Sequence, residues 1–369
     1  MSQFSANDYQ MMTRAIALAK RGRFTTAPNP NVGCVITLDN QIVGEGYHKK
    51  AGEPHAEVYA LRMAGERAKG ATAYVTLEPC SHYGRTPPCA EGLIKAGVAR
   101  VICAMSDPNP QVAGRGFNML REAGIDVQVG LMESDARALN PGFLKKMETQ
   151  MPFVQLKMAA SLDGQTALAN GRSQWITGPQ ARQDVQAYRA VAGAILSTSQ
   201  TVIEDNASLN VRWNELPSGV TDIIEPERLR QPLRAILDRQ QHLNQELKLY
   251  QTGGEVIRIA EQDSELNVSA DENGRLDLSQ VLATLASQHQ INHVWVEAGA
   301  TLASAMIQQQ LVDELIVYLA PKLMGADGRG LIGALGLTDM QDVIDLNIKD
   351  IRMVGRDIRI VATPQFKQK

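Results

Sequence analysis

The sequence predicts an α/β protein built from two successive domains. Short apolar runs of strand length alternate with stretches of helical spacing along the chain. Gly, Pro, Asn and Asp bound these runs, and they are the residues that close strands and helices. The alternation stops near Met147 to Pro152 and restarts at Phe153. A chain of 369 residues is long enough for about two domains, which we place at residues 1–148 and 149–369.

The first domain opens with a helix. Tyr9, Met12, Ile16 and Ala19 recur at helical spacing, and Lys20-Arg21 precede Gly22 at its end. Pro28-Asn29-Pro30-Asn31 makes a loop. Val32 to Thr37 and Ile42 to Tyr47 read as paired strands that turn at Asp39-Asn40. A helix starts at Glu53-Pro54-His55-Ala56-Glu57, with proline in its first turn. Ala73 to Leu77 is a short buried strand, and a Gly- and Pro-rich loop runs from Pro79 to Pro88. A helix through Leu93-Ile94 ends at Gly97. Then come a strand at Arg100 to Met105, a helix at Phe117 to Ala123 and a strand at Asp126 to Gly130.

In the second domain, Phe153 to Ala159 is a strand, Gln180 to Ala192 a helix and Ala194 to Ser197 a strand. Leu233 to Leu237, Val256 to Ile259 and Val294 to Glu297 read as further strands. Leu302 to Gln309 is a helix and Leu315 to Tyr318 a strand. The polar stretch from Asn214 to Arg230 reads as a surface excursion, and the tail from Gln365 to Lys369 as frayed.

Composition narrows the function classes. With 44% apolar and 21% charged residues, each half can bury a core of its own. A net charge of -3 and only 6 Phe, 8 Tyr and 3 Trp argue against a nucleic-acid partner, which needs a basic face and stacking aromatics. No apolar stretch is long enough to span a bilayer. Met1 to Tyr9 lacks the charged-then-apolar pattern of a signal peptide, so we expect a cytoplasmic protein with no membrane partner. The four cysteines, Cys34, Cys80, Cys89 and Cys103, read as metal-binding, catalytic or buried rather than disulfide-bonded.

The strongest motif is His55-Ala56-Glu57, followed by Pro79-Cys80 and then Cys89. Zinc prefers nitrogen and thiolate ligands, and a catalytic zinc takes three from the protein and leaves one position open. His55, Cys80 and Cys89 supply three. Zinc makes water acidic enough to act as hydroxide near neutral pH. Glu57 is the proton carrier and not a ligand, as in the nucleobase deaminases that share this ordered signature. Residues two apart do not share a helix face, so His55 and Glu57 converge only at the helix's N-terminal end. Eight residues separate Cys80 from Cys89 where the commonest deaminases have two. That polar insertion beside the metal suggests a grip on a substrate group.

The competing reading is a zinc that only staples the fold, with Cys34 or His82 as a fourth ligand. Cys34 and Cys103 lie in apolar strands and read as small buried hydrophobes. His48 reads as a surface-loop residue.

Pro28 to Cys34, Gly52 to Glu57 and Thr76 to Cys89 closely resemble the bifunctional deaminase-reductase family of riboflavin biosynthesis. The resemblance continues through Leu156 to Gly164, Ser173 to Thr177 and Val296 to Gly299, so it covers both halves. It implies an N-terminal cytidine-deaminase-like three-layer domain and a C-terminal dihydrofolate-reductase-like domain. It also implies that the first domain deaminates a diamino-pyrimidinone carrying a phosphoribosylamino group. The second would then reduce the ribosyl group to ribityl with NADPH, so the expected cofactors are zinc and NADPH. Asn29, His48, His82 and Arg85 match positions that contact the first substrate, and a guanidinium suits a phosphate.

Without the resemblance, the second half would be hard to name. Gly299-Ala300-Thr301-Leu302 follows a strand and opens a helix, a place where backbone N–H groups take phosphate. By resemblance, Ala159, Trp175, Thr201, Asp205 and the run Gly299, Ala300, Thr301, Leu302, Ala303, Ser304 and Ala305 line the cofactor site. Lys157, Ser173, Arg189, Leu209, Arg212 and Glu297 hold the phosphoribosyl substrate. Arg239 stands where the family often has a small residue near the cofactor, and it is a candidate for the NADP phosphate. We expect a homo-oligomer, a dimer or a tetramer, acting on small phosphoribosyl pyrimidines. The alternative is a nucleic-acid or nucleoside deaminase with an unrelated C-terminal domain.

Overall fold

The computed structural model of the chain describes residues 4–83, 87–109, 113–271 and 274–367. It divides into two compact units, Met1–Gln150 and Met151–Lys369, each with its own sheet.

In the first unit, α1 (Ala6–Ala19) is capped by Ser5. The Ser5 side chain accepts the Asp8 N–H, and the Asp8 carboxylate accepts the Ser5 N–H. The strands β1 (Gly33–Leu38) and β2 (Gln41–Tyr47) form a hairpin. Asp39 and Asn40 turn it at φ 51° and 62°, the left-handed pair that a tight hairpin needs. There follow α2 (Ala56–Ala64), β3 (Thr72–Val75), α3 (Cys89–Lys95), β4 (Arg100–Cys103), α4 (Arg115–Glu122) and β5 (Asp126–Val129). Two further helices, α5 (Glu133–Leu139) and α6 (Pro141–Thr149), complete the unit; the sequence reading does not contain them.

The sheet order is β2-β1-β3-β4-β5, with β1 antiparallel to both neighbours and β3, β4 and β5 parallel. Alternate residues of each strand face opposite sides. Ile36 and Val75 pack under Ala60, Leu93 and Leu120 of α2, α3 and α4. Val35, Tyr74 and Ile102 pack under Met12, Ala136 and Leu144 of α1, α5 and α6. The result is three layers. One close approach matters for the site: a Cβ at Gly46 would lie 2.5 Å from the Ala56 carbonyl oxygen. The missing side chain lets the start of α2 lie directly on the sheet.

In the second unit the order is β6 (Phe153–Ser161), β7 (Gln165–Ala167), α7 (Pro179–Val191), β8 (Ala194–Thr198), α8 (Ser199–Asp205), α9 (Ser218–Thr221), β9 (Leu233–Leu237), α10 (Lys248–Gln251), β10 (Val256–Ala260) and β11 (Leu266–Asn267). Then follow α11 (Leu278–Gln288), β12 (His293–Glu297), α12 (Ala300–Gln308), β13 (Glu314–Ala320), β14 (Arg329–Gly330), β15 (Asp345–Val354) and β16 (Asp357–Gln365). The large sheet runs β11-β10-β9-β8-β12-β6-β13-β16-β15. It is parallel from β11 to β13 and antiparallel at β16 and β15. Parallel strands bring all their C-terminal ends to one edge, where α/β sheets bind ligands.

Three expectations change. His55 is the N-cap of α2, so Pro54 lies just before the helix and not in its first turn. The excursion after Asn214 is not wholly at the surface, because Leu216, Val220 and Ile224 are buried beneath it. Gln365 is the last residue of β16, paired with Asp345, so fraying cannot begin there; residues 368–369 lie outside the described residues. Among the described residues, no helix is long and apolar enough to cross a membrane.

Candidate active sites

Three side chains converge in the first unit. His55 Nδ1 lies 3.3 Å from Cys89 Sγ and 3.6 Å from Cys80 Sγ, and all three ligand atoms fall within 4.8 Å of one another. Local structure explains the convergence. His55 has extended backbone (φ -73°, ψ 168°), so its side chain leaves the chain before the helix begins. Glu57 is the second residue of α2, which resolves the two-residue spacing. Cys89 is the first residue of α3, and its N–H donates to Cys80 Sγ at 3.3 Å. Hydrogen bonds from the Cys89 thiol and backbone, with His55 alongside, hold the Cys80 thiol low and favour a thiolate.

Glu57 is buried, and its Oε2 has no hydrogen-bond partner. Burial and then the Cys80 charge push its carboxyl up to about 7, against the pull of His55. A soft N,S,S donor set beside an orphaned carboxylate oxygen fits a zinc with three protein ligands and a position left for a reactant. Among the described residues, no fourth His, Cys, Asp or Glu joins the three. His82 is exposed and Cys34 lies within β1, which leaves the staple reading without its fourth ligand.

His48 is the main correction at this site. It is 2% exposed and not a surface residue. Its Nδ1 faces the Pro54 carbonyl oxygen at 3.1 Å, and its Nε2 faces Asn29 Nδ2 at 3.2 Å. One partner needs a donor and the other an acceptor, which selects the neutral Nδ1–H tautomer. Burial also holds the His48 pKa below its ordinary value. Nothing local in the sequence shows that Pro54 and the Asn29 loop meet across this ring. Arg85 lies outside the described residues.

Sequence reasoning also missed Glu78. Its Oε2 accepts the N–H groups of Asp107 and Gly114, and its Oε1 that of Gly116. A Cβ at Gly116 would lie 2.1 Å from the Pro79 carbonyl oxygen, so the first turn of α4 is seated directly against the Pro79-Cys80 segment. The only sequence signal is an acidic residue inside an apolar strand end.

In the second unit, a cavity of about 1400 Å³ opens at the C-terminal strand edge. Ala159, Trp175, Thr201, Asp205, Gly299, Ala300, Thr301, Leu302 and Ala305 line it. So do Lys157, Ser173, Arg189, Leu209, Arg212 and Glu297, together with Arg239. Ala303 and Ser304 do not. The α12 helix turns Ala303 into the core at 0% exposure, and Ser304 Oγ donates to the Ala300 carbonyl oxygen and accepts the Gly333 N–H. A continuous run of residues cannot all face one side of a helix.

The cavity's charges are organised in pairs. Arg189 Nε and Nη2 donate to Glu297 Oε1 and Oε2 at 2.6 and 3.0 Å. Arg212 makes the same fork with Glu215, at 2.6 and 2.7 Å. Glu215 also lines the cavity and is absent from the sequence reading. Lys157 is the in-register neighbour of Glu297 across β6 and β12, and burial lowers its pKa. Trp175 is exposed, with the Arg182 guanidinium 4.6 Å above its ring.

Comparisons with known proteins agree with this geometry. The RibD C-terminal domain family matches residues 152–360, and the cytidine and deoxycytidylate deaminase zinc-binding region matches residues 5–105. Riboflavin biosynthesis protein RibD of Escherichia coli is 56% identical over 359 residues, covering 95% of this chain and 98% of that protein. Its counterpart in Haemophilus influenzae is 51% identical, covering 99% and 100%. The structure of Acinetobacter baumannii RibD superposes with a TM-score of 0.91 at 48% identity, covering 97% of this chain and 99% of that one. A Thermotoga maritima structure gives 0.83 at 30% identity and the same coverage; it is described as a diaminohydroxyphosphoribosylaminopyrimidine deaminase and 5-amino-6-(5-phosphoribosylamino)uracil reductase. Matches along the whole chain disfavour a deaminase joined to an unrelated C-terminal domain. The chain therefore belongs to the RibD family: it is a bifunctional enzyme of riboflavin biosynthesis, with a zinc-dependent deaminase domain and an NADPH-dependent reductase domain.

Proposed function

We propose that the first domain, residues 1–148, hydrolyses an amino group from 2,5-diamino-6-(5-phosphoribosylamino)pyrimidin-4-one. The second, residues 149–369, then reduces the ribosyl group to give 5-amino-6-(5-phosphoribitylamino)uracil. The observation that carries the reading is the convergence of His55, Cys80 and Cys89 within 4.8 Å beside a buried Glu57 with an orphaned oxygen.

In this reading His55, Cys80 and Cys89 hold the zinc. When bound, zinc would lower the pKa of a water and so supply hydroxide for attack on the ring carbon. Glu57 accepts the proton of that water and returns it to the leaving amine, so that water enters and ammonia leaves. Asn29 and His48 orient the pyrimidine, with the neutral His48 fixed by its two partners. By the family resemblance His82 and Arg85 also contact this substrate, a guanidinium being suited to its phosphate.

NADPH supplies the hydride for the second reaction. Reducing ribosyl to ribityl places hydride on the anomeric carbon, breaks its bond to the ring oxygen, and delivers a proton to that oxygen. Arg189, Arg212, Ser173, Leu209, Lys157 and Glu297 hold the phosphoribosyl substrate. Ala159, Trp175, Thr201, Asp205, Gly299, Ala300, Thr301, Leu302 and Ala305 hold the cofactor, with phosphate at the start of α12.

The enzyme is cytoplasmic and a homo-oligomer, a dimer or a tetramer. Support for a second copy comes from β15, an edge strand that exposes Leu346, Ile348, Ile351 and Met353. The test of the reaction is product identification. With the diamino-pyrimidinone phosphoribosyl compound alone, the deaminated ribosyl product accumulates; with NADPH added, the ribityl product replaces it. No consumption of the compound would overturn the reading.

A further inference from the structure

Glu297 carries more partners than a cavity-wall carboxylate needs. Arg189 donates to both its oxygens, and Trp295 Nε1 donates to Oε1 at 2.8 Å. Ser197 Oγ donates to the Glu297 carbonyl oxygen at 2.6 Å and fixes its main chain. Trp295 itself is 0% exposed and does not line the cavity. Its indole is stacked on Tyr188, with centroids 4.8 Å apart and planes 13° from parallel. Tyr188 precedes Arg189 on α7 and lies beneath the Arg359 guanidinium, 5.7 Å from its ring centroid.

We infer that Trp295 is a positioning residue for the reductase: its indole N–H sets the plane of the Glu297 carboxylate and so presents Glu297 to the phosphoribosyl substrate. The inference rests on the proposed substrate role of Glu297. The carboxylate torsion of a glutamate is broad, so nothing intrinsic holds its plane. Two donors on Oε1 and one on Oε2 use three of its roughly four acceptor positions. The remaining one is on Oε2, the oxygen left to a substrate hydroxyl. Arg189 alone cannot secure this, because it must itself keep its place beside an incoming phosphate. Trp295 and the Asn210 carbonyl oxygen, which accepts from Arg189 Nη1 at 3.1 Å, hold the pair from its two ends. The arrangement also keeps Glu297 ionised: burial opposes the charge, but Arg189, Lys157 and Trp295 together hold its pKa at about 2. An ionised carboxylate only accepts, which suits a hydroxyl-bearing substrate.

The test uses the full chain with Trp295→Phe. Phenylalanine keeps a ring against Tyr188 and removes the N–H. Reduction of the deaminated phosphoribosyl compound is followed with NADPH. The KM for that compound should rise roughly tenfold, as expected for a lost hydrogen bond to a charged group. The KM for NADPH and the deaminase rate should stay where they are. Combining Trp295→Phe with Glu297→Ala, which removes the acceptor altogether, gives the decisive cycle. If Trp295 acts through Glu297, the tryptophan change has no further effect once the carboxylate is gone. Additive losses, or an unchanged KM in Trp295→Phe, would overturn the inference. If Trp295→Phe does not fold, indole ¹⁵N–¹H spectra of the wild type answer the question. The Trp295 signal should shift when ribose 5-phosphate is added, and an unmoved signal at saturation would overturn it. Failure of the wild type to reduce the compound would instead refute the substrate reading.

Discussion

His48 stands edge-on to His55, with ring centroids 5.4 Å apart and planes at 84°. The His55 ring is thereby backed by a second imidazole whose nitrogens are committed to Pro54 and Asn29. This separates two roles that look alike in the sequence. His48→Phe should keep a ring against His55 and keep zinc near one per chain. It should lower the deaminase kcat/KM by roughly 10- to 100-fold, the range for losing the hydrogen bond that holds Asn29 in place for the substrate. Zinc analysis beside steady-state kinetics checks this, and loss of the metal would make His48 part of the metal site.

Cys80→Ser and Cys89→Ser should each lose zinc, because a hydroxyl is a poor replacement for a soft thiolate. His82→Ala should retain it, since His82 is exposed and outside the ligand cluster. Metal content of the purified variants decides the matter. Zinc retained by both serine variants would break the ligand assignment.

The Arg189–Glu297 pair should leave a signature in acid. The native pKa of Glu297, about 2, lies below its ordinary 4.5, so the unfolded chain binds the proton first. The stabilisation is complete above 4.5 and disappears as pH falls through about 2, and it amounts to about 3 kcal/mol in all. Trp175, Trp213 and Trp295 all lie in the second unit, so tryptophan fluorescence follows its unfolding alone. Between pH 5 and pH 3, wild type should lose more stability in urea than Glu297→Gln does. Parallel pH curves would show that the pair contributes nothing.

NADPH should be preferred over NADH by roughly tenfold or more, because a charge-assisted contact to the extra phosphate is unavailable to NADH. Arg239 lines the cavity and donates to the Gly274 carbonyl oxygen, which holds its guanidinium at the rim. Arg239→Ala should narrow the preference while leaving NADH turnover unchanged. A preference that survives this change moves the phosphate contact to another residue.

How much of this is legible depends on whether a signal is local. The strand-to-helix alternation and the His55-Ala56-Glu57 spacing are local, and they lead directly to the α/β class and to the cluster of His55, Cys80 and Cys89. His48 is misread from sequence because its burial depends on Pro54 and Asn29 closing over it from other segments. The hairpin of β15 and β16 is missed for a different reason. Its apolar residues Leu346, Ile348, Ile351 and Met353 fall out of phase across an irregularity between Ile348 and Asp350, and they face outward. A strand whose alternation breaks and whose apolar side is exposed gives no core-facing pattern. Ala303 and Ser304 show the limit of resemblance by runs, because the rotation of α12 decides which members of a run reach the cavity.

The most direct test of the account is the full chain with Glu57→Gln, assayed for zinc and for both reactions. The amide can neither take a proton from water nor return it to the amine. Glu57→Gln should carry about one zinc per chain, deaminate ~10²–10⁴-fold more slowly, and reduce the deaminated compound with NADPH at the normal rate. Arg212→Ala is the reciprocal control and should deaminate normally but reduce poorly. Near-normal deamination by Glu57→Gln with zinc in place would contradict the account.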